Sequence, residues 1–299
     1  MKILSQIRNK LPKIMLIFLI MALLPYYFAS ADILFYEDFE DSLDFENDWI
    51  ISGGHGSQGL TTEQIRYGSK SYRFSLTRYD AGDYREELGL RAGFNSGDFH
   101  FTIENEYWTG FSLFLADGYF CPSETGNWVI HHQYHGDPDK PPTCDPAEPY
   151  RNPPLTVATA KAGDRRVRSS YDTRQCTPSG TPEGSQRDNY GTIPVGQWDD
   201  FVINVKWSYG AGGFLKIWKN GVLETNFTGP NCYNDNKGPY MQIGIYSRCL
   251  DQDQTMTIYY DELRIGDSNS SYAEVAPGGT PSPTGTIAGT VTDTLNNPI

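Results

Sequence analysis

Short runs in which hydrophobic and polar residues alternate recur along this chain, separated by turns rich in Gly, Asn, Asp and Pro. No long stretch shows helical periodicity. A period of two is typical of strands that have one face in a core and the other in solvent. The runs therefore predict an all-β fold, a β-sandwich or jelly roll. The predicted strands are 33–39, 71–76, 84–91, 106–115, 128–135, 201–207, 214–218, 222–227, 240–248 and 255–265.

Residues 136–195 interrupt this alternation. They are rich in Pro, Asp, Arg, Ser and Gly, and so long an irregular segment predicts loops around a site. They also contain the densest basic cluster of the chain after its leader, Arg165, Arg166 and Arg168. Such a cluster either solvates a loop or covers an anionic ligand, and the sequence leaves both interpretations open.

Both ends of the chain have their own composition. Residues 1–31 combine basic residues, an apolar run at 14–24 and a small-residue cleavage site, which predicts a secretory signal peptide. A retained N-terminal anchor is the alternative. We expect a jelly-roll domain at 32–270, a Pro/Gly/Thr/Ser linker at 271–285, and the truncated start of a second, Ig-like β domain at 286–299. The mature protein is then secreted, extracellular or periplasmic, with no membrane attachment.

The charge of the chain excludes one large class of function. The formal net charge is −13, and the leader contributes only positive residues, so the mature chain is more acidic still. Nucleic-acid binding depends on clustered basic surface, so we expect no nucleic-acid partner. If the ligand is an anionic polymer, a local basic cleft must overcome the unfavourable long-range field. We expect the protein to be a monomer.

Five cysteines in an exported chain favour disulfides over a metal site. They contain no Cys-x-x-Cys pair, which argues against a zinc knuckle. Cys232 and Cys249 bracket one predicted strand and are the predicted local pair. The odd count leaves one thiol over, and the remaining connectivity is open. The five are Cys121, Cys144, Cys176, Cys232 and Cys249.

Three predicted strands each place polar side chains on a single face, which is unusual for strands that only stabilise a sheet. If the three faces converge on one side of a sheet, they form the floor of a binding cleft. The alternative is an exposed polar face that happens to contain histidines. The three polar sets are Arg85, Glu87 and Arg91; His131, Gln133 and His135; and Tyr240, Gln242, Tyr246 and Arg248.

These side chains suit β-elimination from a uronic-acid polymer. The C5 proton of a uronate becomes removable only when its carboxylate is neutralised, so that the enolate-like intermediate is stabilised. Gln133 can donate an amide hydrogen bond to that carboxylate, and Arg85 can pair with it. His135, with an ordinary pKa near ~6.5, is assigned as the base, and Tyr246, near ~10, as the acid or as both.

The same residues carry a resemblance to a known family. Arg85-Glu86-Glu87-Leu88, Gln133-Tyr134-His135 and Gln242-Ile243-Gly244-Ile245-Tyr246 occur in the order of the signature strands of jelly-roll polysaccharide lyases. These are the enzymes of the alginate-lyase, glucuronan-lyase and heparin-lyase-I type, and the resemblance spans residues 32–266. It implies a concanavalin-like β-sandwich with a concave substrate cleft, an anionic polysaccharide partner and the roles given above.

Further site residues complete this prediction. Substrate binding is assigned to Arg91, Glu87, His131, Tyr240, Gln242 and Arg248, with Glu87 pairing with Arg85 or Arg91 to orient it. The chain departs from the family where Gln242 stands in place of the usual Lys, which weakens the case for a heavily sulfated substrate. Glucuronan, alginate, a glycosaminoglycan and a plant uronan all fit. No cofactor is required.

Other functions remain as alternatives. A non-catalytic carbohydrate-binding module would use exposed aromatic platforms and would not need His135 and Tyr246 together. A structural adhesion domain gives no reason for three polar strand faces. A glycoside hydrolase needs two closely spaced carboxylates, and the expected Glu-x-Asp-x-x-Glu strand pattern is missing. A structural calcium ion is left open at Asp251 and Asp253, or at Asp261 with the N-terminal acids.

Overall fold

The computed structural model describes residues 33–54, 56–77, 84–91, 99–119, 128–160, 164–192, 194–248 and 254–279. The predicted signal peptide, the linker beyond residue 279 and the predicted module at 286–299 lie outside these ranges. So do Asp251, Asp253, Cys121 and Cys249. Within the described ranges, no helix has the length and apolar character needed to span a membrane.

Fifteen strands and one short helix make up the described fold. Their number confirms the all-β prediction, and each strand pairs antiparallel with its neighbours. The strands are β1 Ile33–Glu37, β2 Trp49–Ser52, β3 Ser57–Thr61, β4 Ser71–Thr77, β5 Arg85–Leu90, β6 Glu106–Leu115, β7 Trp128–His135, β8 Leu155–Ala160, β9 Asp164–Tyr171, β10 Gly184–Thr192, β11 Trp198–Lys206, β12 Phe214–Lys219, β13 Val222–Thr228, β14 Tyr240–Ser247 and β15 Thr255–Gly266.

The strands form two sheets. The first has the order β13-β12-β11-β6-β15-β4-β3, with β1 also paired to β15, and the second has the order β10-β9-β8-β7-β14-β5-β2. Strands that are distant in sequence are neighbours in both sheets, which is the connectivity of a jelly roll. The second sheet contains all three strands whose polar faces the sequence singled out.

The core lies between the two sheets and is rich in aromatic rings. Phe111 of β6 stacks on His132 of β7 with ring centroids 4.4 Å apart, and it also packs 5.1 Å from Phe201. All three side chains are fully buried. Burial of large apolar surface is the main force holding two such sheets together. His132 therefore serves as a packing residue of the interior.

The prediction that residues 136–195 form irregular loops is wrong over much of its length, because β8, β9 and β10 lie within it. In β8, Leu155 and Val157 are buried in the core. The strand is short and directly follows two prolines, so the sequence pattern did not reveal it. In β9 only Val167 is both apolar and buried. Hydrophobic alternation is absent from β9 because its other buried side chains, Ser169 and Ser170, are polar.

The segment 271–279, predicted to begin the linker, packs on the domain. Its helix α1, Tyr272–Val275, starts at a capping box in which Ser271 and Glu274 bond reciprocally. The side chain of Val275 is fully buried. Arg264 of β15 holds the segment further, since its Nη1 donates to the carbonyls of Glu274, Ala276 and Gly279.

The disulfide prediction is wrong in its first choice. Cys144 is bonded to Cys176, with Cα atoms 5.2 Å apart. Cys232, predicted to pair with Cys249, is a free thiol buried in the hydrophobic core. Burial raises the pKa of Cys232, so it remains a neutral, inert thiol. Spacing along the sequence could not show that its side chain points inward.

Candidate active site

The three polar strands lie side by side in the second sheet. Strand β14 is central, with β5 on one edge and β7 on the other. The register places Tyr246 opposite Arg85 on β5, and places Gln242 opposite Gln133 and Tyr240 opposite His135 on β7. Residues far apart in sequence thus become direct neighbours, which is the convergence that the sequence predicted.

A cleft of about 640 Å³ opens over this face of the sheet. Arg85, His135 and Tyr246 all line it, so the predicted cation, base and acid share one cavity. The remainder of the wall comes from β7 to β10 and from the loop before β8. Its further lining residues include Trp128, Ile130, Tyr150, Arg151, Asn152, Thr156, Ala158, Arg166, Arg168 and Arg187.

Tyr246 is surrounded by aromatic and cationic groups. The guanidinium carbon of Arg85 lies 4.1 Å from the centroid of its ring. Trp128 packs edge-on at 4.8 Å, and Tyr84 lies 5.7 Å away. No protein group among the described residues hydrogen-bonds to the Tyr246 hydroxyl, which leaves that hydroxyl available to a ligand.

The contacts of His135 favour a neutral imidazole. Its Nδ1 lies 2.8 Å from the carbonyl oxygen of Gly136, and a carbonyl only accepts, so Nδ1 carries the hydrogen. The lone pair is then on Nε2. Burial lowers the pKa of His135, and the positive charge of Arg85 lowers it further. The ring of Tyr240 packs beside the imidazole, with ring centroids 5.6 Å apart.

Beneath the cleft lies a buried polar network. Gln133 donates from Nε2 to Glu87 Oε1 at 2.6 Å and to Gln242 Oε1 at 3.1 Å. Glu87 also pairs with Arg85 Nε at 3.1 Å, one of the two pairings predicted for it. Burial raises the pKa of Glu87 to about 7, against the opposing effects of Arg85 and Gln133. The network fixes the guanidinium at the edge of the cleft.

This network uses both amide hydrogens of Gln133, whose side chain is fully buried. An amide nitrogen has only two hydrogens to donate. The predicted role of Gln133 as a direct donor to a substrate carboxylate therefore requires it to release Glu87 or Gln242. Arg85, whose side chain is 26% exposed, needs no such change to reach a ligand.

The prediction that His131 shares a face with Gln133 and His135 is wrong. Ile130 pairs with Ala158 of β8 and His132 with Val157, so His131 is an extra residue, a β-bulge. The bulge turns His131 inward, where it is 1% exposed and its Nε2 lies 3.0 Å from the Tyr119 hydroxyl. Strict alternation could not show this interruption.

The remaining predicted residues lie at the margin of the site. Arg248 follows β14, and its guanidinium carbon lies 5.9 Å from the ring centroid of Trp128. Arg91 follows β5, and its backbone amide donates a hydrogen bond to the carbonyl oxygen of Asp48. It is not among the described residues that line the cleft. Trp128 and Arg187 also line the cleft, and the sequence pattern predicted no role for either. Arg166 and Arg168 of the neighbouring strand β9 do belong to the basic cluster found in the sequence.

Metal-ligating groups give no direct support for calcium. Among the described residues, the one cluster with suitable spacing is Asp139, Cys144 and Glu148, and Cys144 is consumed in its disulfide. Asp261 accepts hydrogen bonds from the amides of Arg66 and Tyr67. The structural calcium ion stays a prediction.

The two-sheet architecture defines a jelly-roll protein, and its cleft is lined by imidazole, phenol and guanidinium side chains. The family model described as polysaccharide lyase matches residues 42–264, within the predicted domain. The chain belongs to this family and is a polysaccharide lyase. No curated protein sequence matches it.

Two solved structures are similar to this chain to different degrees. An endo-β-1,4-glucuronan lyase from the fungus Trichoderma reesei superposes with a TM-score of 0.63 at 17% identity, covering 83% of this chain and 100% of its own. A family 7 alginate lyase, solved with substrate, gives a TM-score of 0.48 at 12% identity, covering 71% of this chain and 82% of its own. At 17% identity, the likeness to the glucuronan lyase concerns the fold alone.

Proposed function

We propose that this polysaccharide lyase cleaves a uronic-acid polysaccharide by β-elimination, with His135 as base, Tyr246 as acid and Arg85 as the group that neutralises the carboxylate. The observation that carries the proposal is the presence of all three side chains in one cleft. The family assignment and the glucuronan-lyase fold support a uronate substrate. The position of Arg85 provides the positive charge that this chemistry needs.

The reaction begins at the carboxylate of the sugar. Arg85 pairs with it, and Glu87 and Gln133 hold the guanidinium in place. Neutralising the carboxylate stabilises the negative charge that develops when the C5 proton leaves. Gln133 acts here as a positioning residue, through Glu87.

The proton transfers follow from the state of each group. His135 Nε2 takes the C5 proton, and the electron pair left behind forms the C4–C5 double bond. The bond between C4 and the glycosidic oxygen breaks, and Tyr246 gives its hydroxyl proton to that oxygen. The products are a chain ending in an unsaturated uronate and a shorter chain with a free hydroxyl. Proton exchange with solvent returns His135 and Tyr246 to their starting states.

The proposal includes export of the enzyme. A uronate polymer is an extracellular material, and the basic and apolar pattern of residues 1–31 supports a signal peptide. The anionic polysaccharide is then the partner of the mature, monomeric protein.

Incubation of the purified protein with glucuronan, alginate, a glycosaminoglycan and a plant uronan tests the proposal. The ultraviolet absorbance of the unsaturated uronate should rise with at least one polymer. His135→Ala should reduce that rate by at least about 100-fold, the usual contribution of a general base. His100→Ala is the matched control, since His100 is outside the cleft lining and bonds to the Gly238 carbonyl. Binding of every polymer without unsaturated product would instead support a carbohydrate-binding module.

A further inference from the structure

Three arginines line the side of the cleft away from Tyr246. Arg166 and Arg168 lie on β9 and Arg187 on β10, and all three border the cavity. Arg168 and Arg187 are directly opposite each other in the antiparallel register. Arg166 and Arg168 are two residues apart and so share the same face. We call these three residues the arginine row.

The arginine row lacks ion-pair partners within the part of the chain that the structure describes. Among the described residues, no carboxylate forms an ion pair with any member of the row. The Nε atoms of Arg166 and Arg168 are buried and have no protein hydrogen-bond partner. Burial lowers the pKa of Arg168, and the positive charge of Arg187 lowers it further. Adjacent unpaired cations are costly in a folded protein, and an anionic ligand would remove that cost.

Arg151 provides a contrast within the same cleft. Its guanidinium contacts Glu148 at 3.3 Å and Asp172 at 3.8 Å, and it also contacts Asp235. All four side chains are buried. The charge of Arg151 is thus neutralised within the structure, whereas the arginine row keeps its charge for a ligand.

The register sets the backbone distance between Arg166 and Tyr246. Tyr246 is opposite Ile130, Ile130 opposite Ala158, and Ala158 opposite Arg166. Three strand spacings of about 4.8 Å separate Tyr246 from Arg166, or about 14 Å in total. Because the row lies three strands from Tyr246, on the far side of the cleft, we assign the carboxylate that it holds to a neighbouring sugar of the chain.

We propose that Arg166, Arg168 and Arg187 form a carboxylate-binding subsite that holds sugars of the polyuronate remote from the bond that is cleaved. This inference rests on the proposed function and extends it to the length of substrate that the enzyme recognises. The small side chains of Thr156 and Ala158 line the path between the row and the reacting groups. The chain of sugars then runs across the strands from β14 toward β10.

Replacing the row with neutral residues tests the subsite. In Arg168→Gln/Arg187→Gln, KM for long glucuronan should rise about tenfold or more, the usual effect of losing charged hydrogen bonds. kcat should stay within about twofold, because the row does not touch the reacting atoms. With an oligouronate too short to reach the row, the double variant and the wild type should have the same KM. Arg187→Gln alone, at an exposed position, replaces the double variant if that variant does not fold.

The control is Arg73→Gln, which is matched in charge to Arg187→Gln and lies on the other sheet, where Arg73 pairs with Glu63 at 3.5 Å. A KM for long glucuronan equal to that of this control would overturn the subsite. Calorimetric titration with glucuronan, with every variant also carrying Tyr246→Phe so that the polymer is not cleaved, measures Kd and separates the two proposals. Weaker binding by the double variant than by Arg73→Gln supports the subsite even if no unsaturated product forms. Equal binding by the two variants overturns it.

Discussion

The guanidinium of Arg85 lies over the ring of Tyr246, with its central carbon 4.1 Å from the ring centroid. The two residues are direct partners in the register of β5 and β14. A cation over an aromatic face is attracted to it electrostatically. This pairing keeps a positive charge beside the phenol that we propose as the acid, and Glu87 holds the guanidinium from the other side at 3.1 Å.

Arg85→Lys should lower kcat/KM by about 10- to 100-fold, since the lysine loses both the planar stacking on Tyr246 and bidentate pairing with a carboxylate. Steady-state kinetics on the best polymer from the panel will measure the change. Arg73→Lys is the control for the same substitution outside the cleft and should leave kcat/KM unchanged. Full activity in Arg85→Lys would show that point charge alone suffices at this position.

Tyr246→Phe should reduce kcat by about 10²- to 10⁴-fold, because it removes the proton that the leaving oxygen needs. Tyr84→Phe makes the same change on a ring 5.7 Å from Tyr246 and should keep wild-type kcat. The two variants together distinguish the loss of an acid from the loss of a nearby hydroxyl. Equal kcat values in the two variants would remove Tyr246 from the mechanism.

The acidic limb of the kcat/KM profile should lie below pH ~6.5, the ordinary pKa of histidine. Burial, with the positive charge of Arg85, lowers the pKa of His135, so the neutral base persists to lower pH. Activity should therefore fall only as the pH drops through the lowered pKa. A pH profile on one polymer, with an NMR titration of the imidazole, measures both quantities. If the acidic limb is centred above pH ~6.5, at the pKa that NMR gives for His135, the lowered pKa of His135 is contradicted.

His132→Phe should make the protein less sensitive to acid. The His132 imidazole is fully buried against Phe111, and burial lowers its pKa to about 3. Between pH ~6.5 and that value the unfolded chain binds a proton that the folded protein does not, so folding loses about 1.4 kcal/mol per pH unit of acidification. The variant should gain roughly 2 kcal/mol relative to wild type between pH 7 and pH 5. Urea unfolding at a series of pH values measures this difference, and parallel curves for the two proteins would contradict it.

Cys144→Ser/Cys176→Ser should lower the free energy of unfolding by about 3–4 kcal/mol, from the closure entropy of the bridged loop, whose ends are 32 residues apart. Thermal unfolding should show a lower Tm. Cys232→Ala is the control, because that thiol is free, and the double variant should lose more stability than the control. The bridged loop carries Tyr150 and Arg151, which line the cleft, so KM for long polymers should rise as well. A Tm unchanged from wild type would show that the loop is held without its bridge.

The alternating runs by themselves determined most of the fold class and the location of the site. Twofold periodicity follows from strand geometry, so it revealed that the chain is all-β and that three strands have polar faces. It also revealed the side chains that share the cleft, Arg85, His135 and Tyr246, because β5 and β14 keep their alternation and His135 lies beyond the bulge of β7. Residue type alone then indicated the chemistry available to an imidazole, a phenol and a guanidinium.

Only the tertiary structure decided the rest, since those features depend on contacts between distant segments. The bulge at His131 arises from pairing with β8, and local alternation carries no record of a partner strand. Three further features depend on which strands become neighbours. They are the hydrogen bonds from Gln133 to Glu87 and Gln242, the position of the Cys232 thiol in the core, and the arginine row across the cleft from Tyr246. Sheet order is fixed by the burial of the whole core, and the sequence of one strand does not specify it.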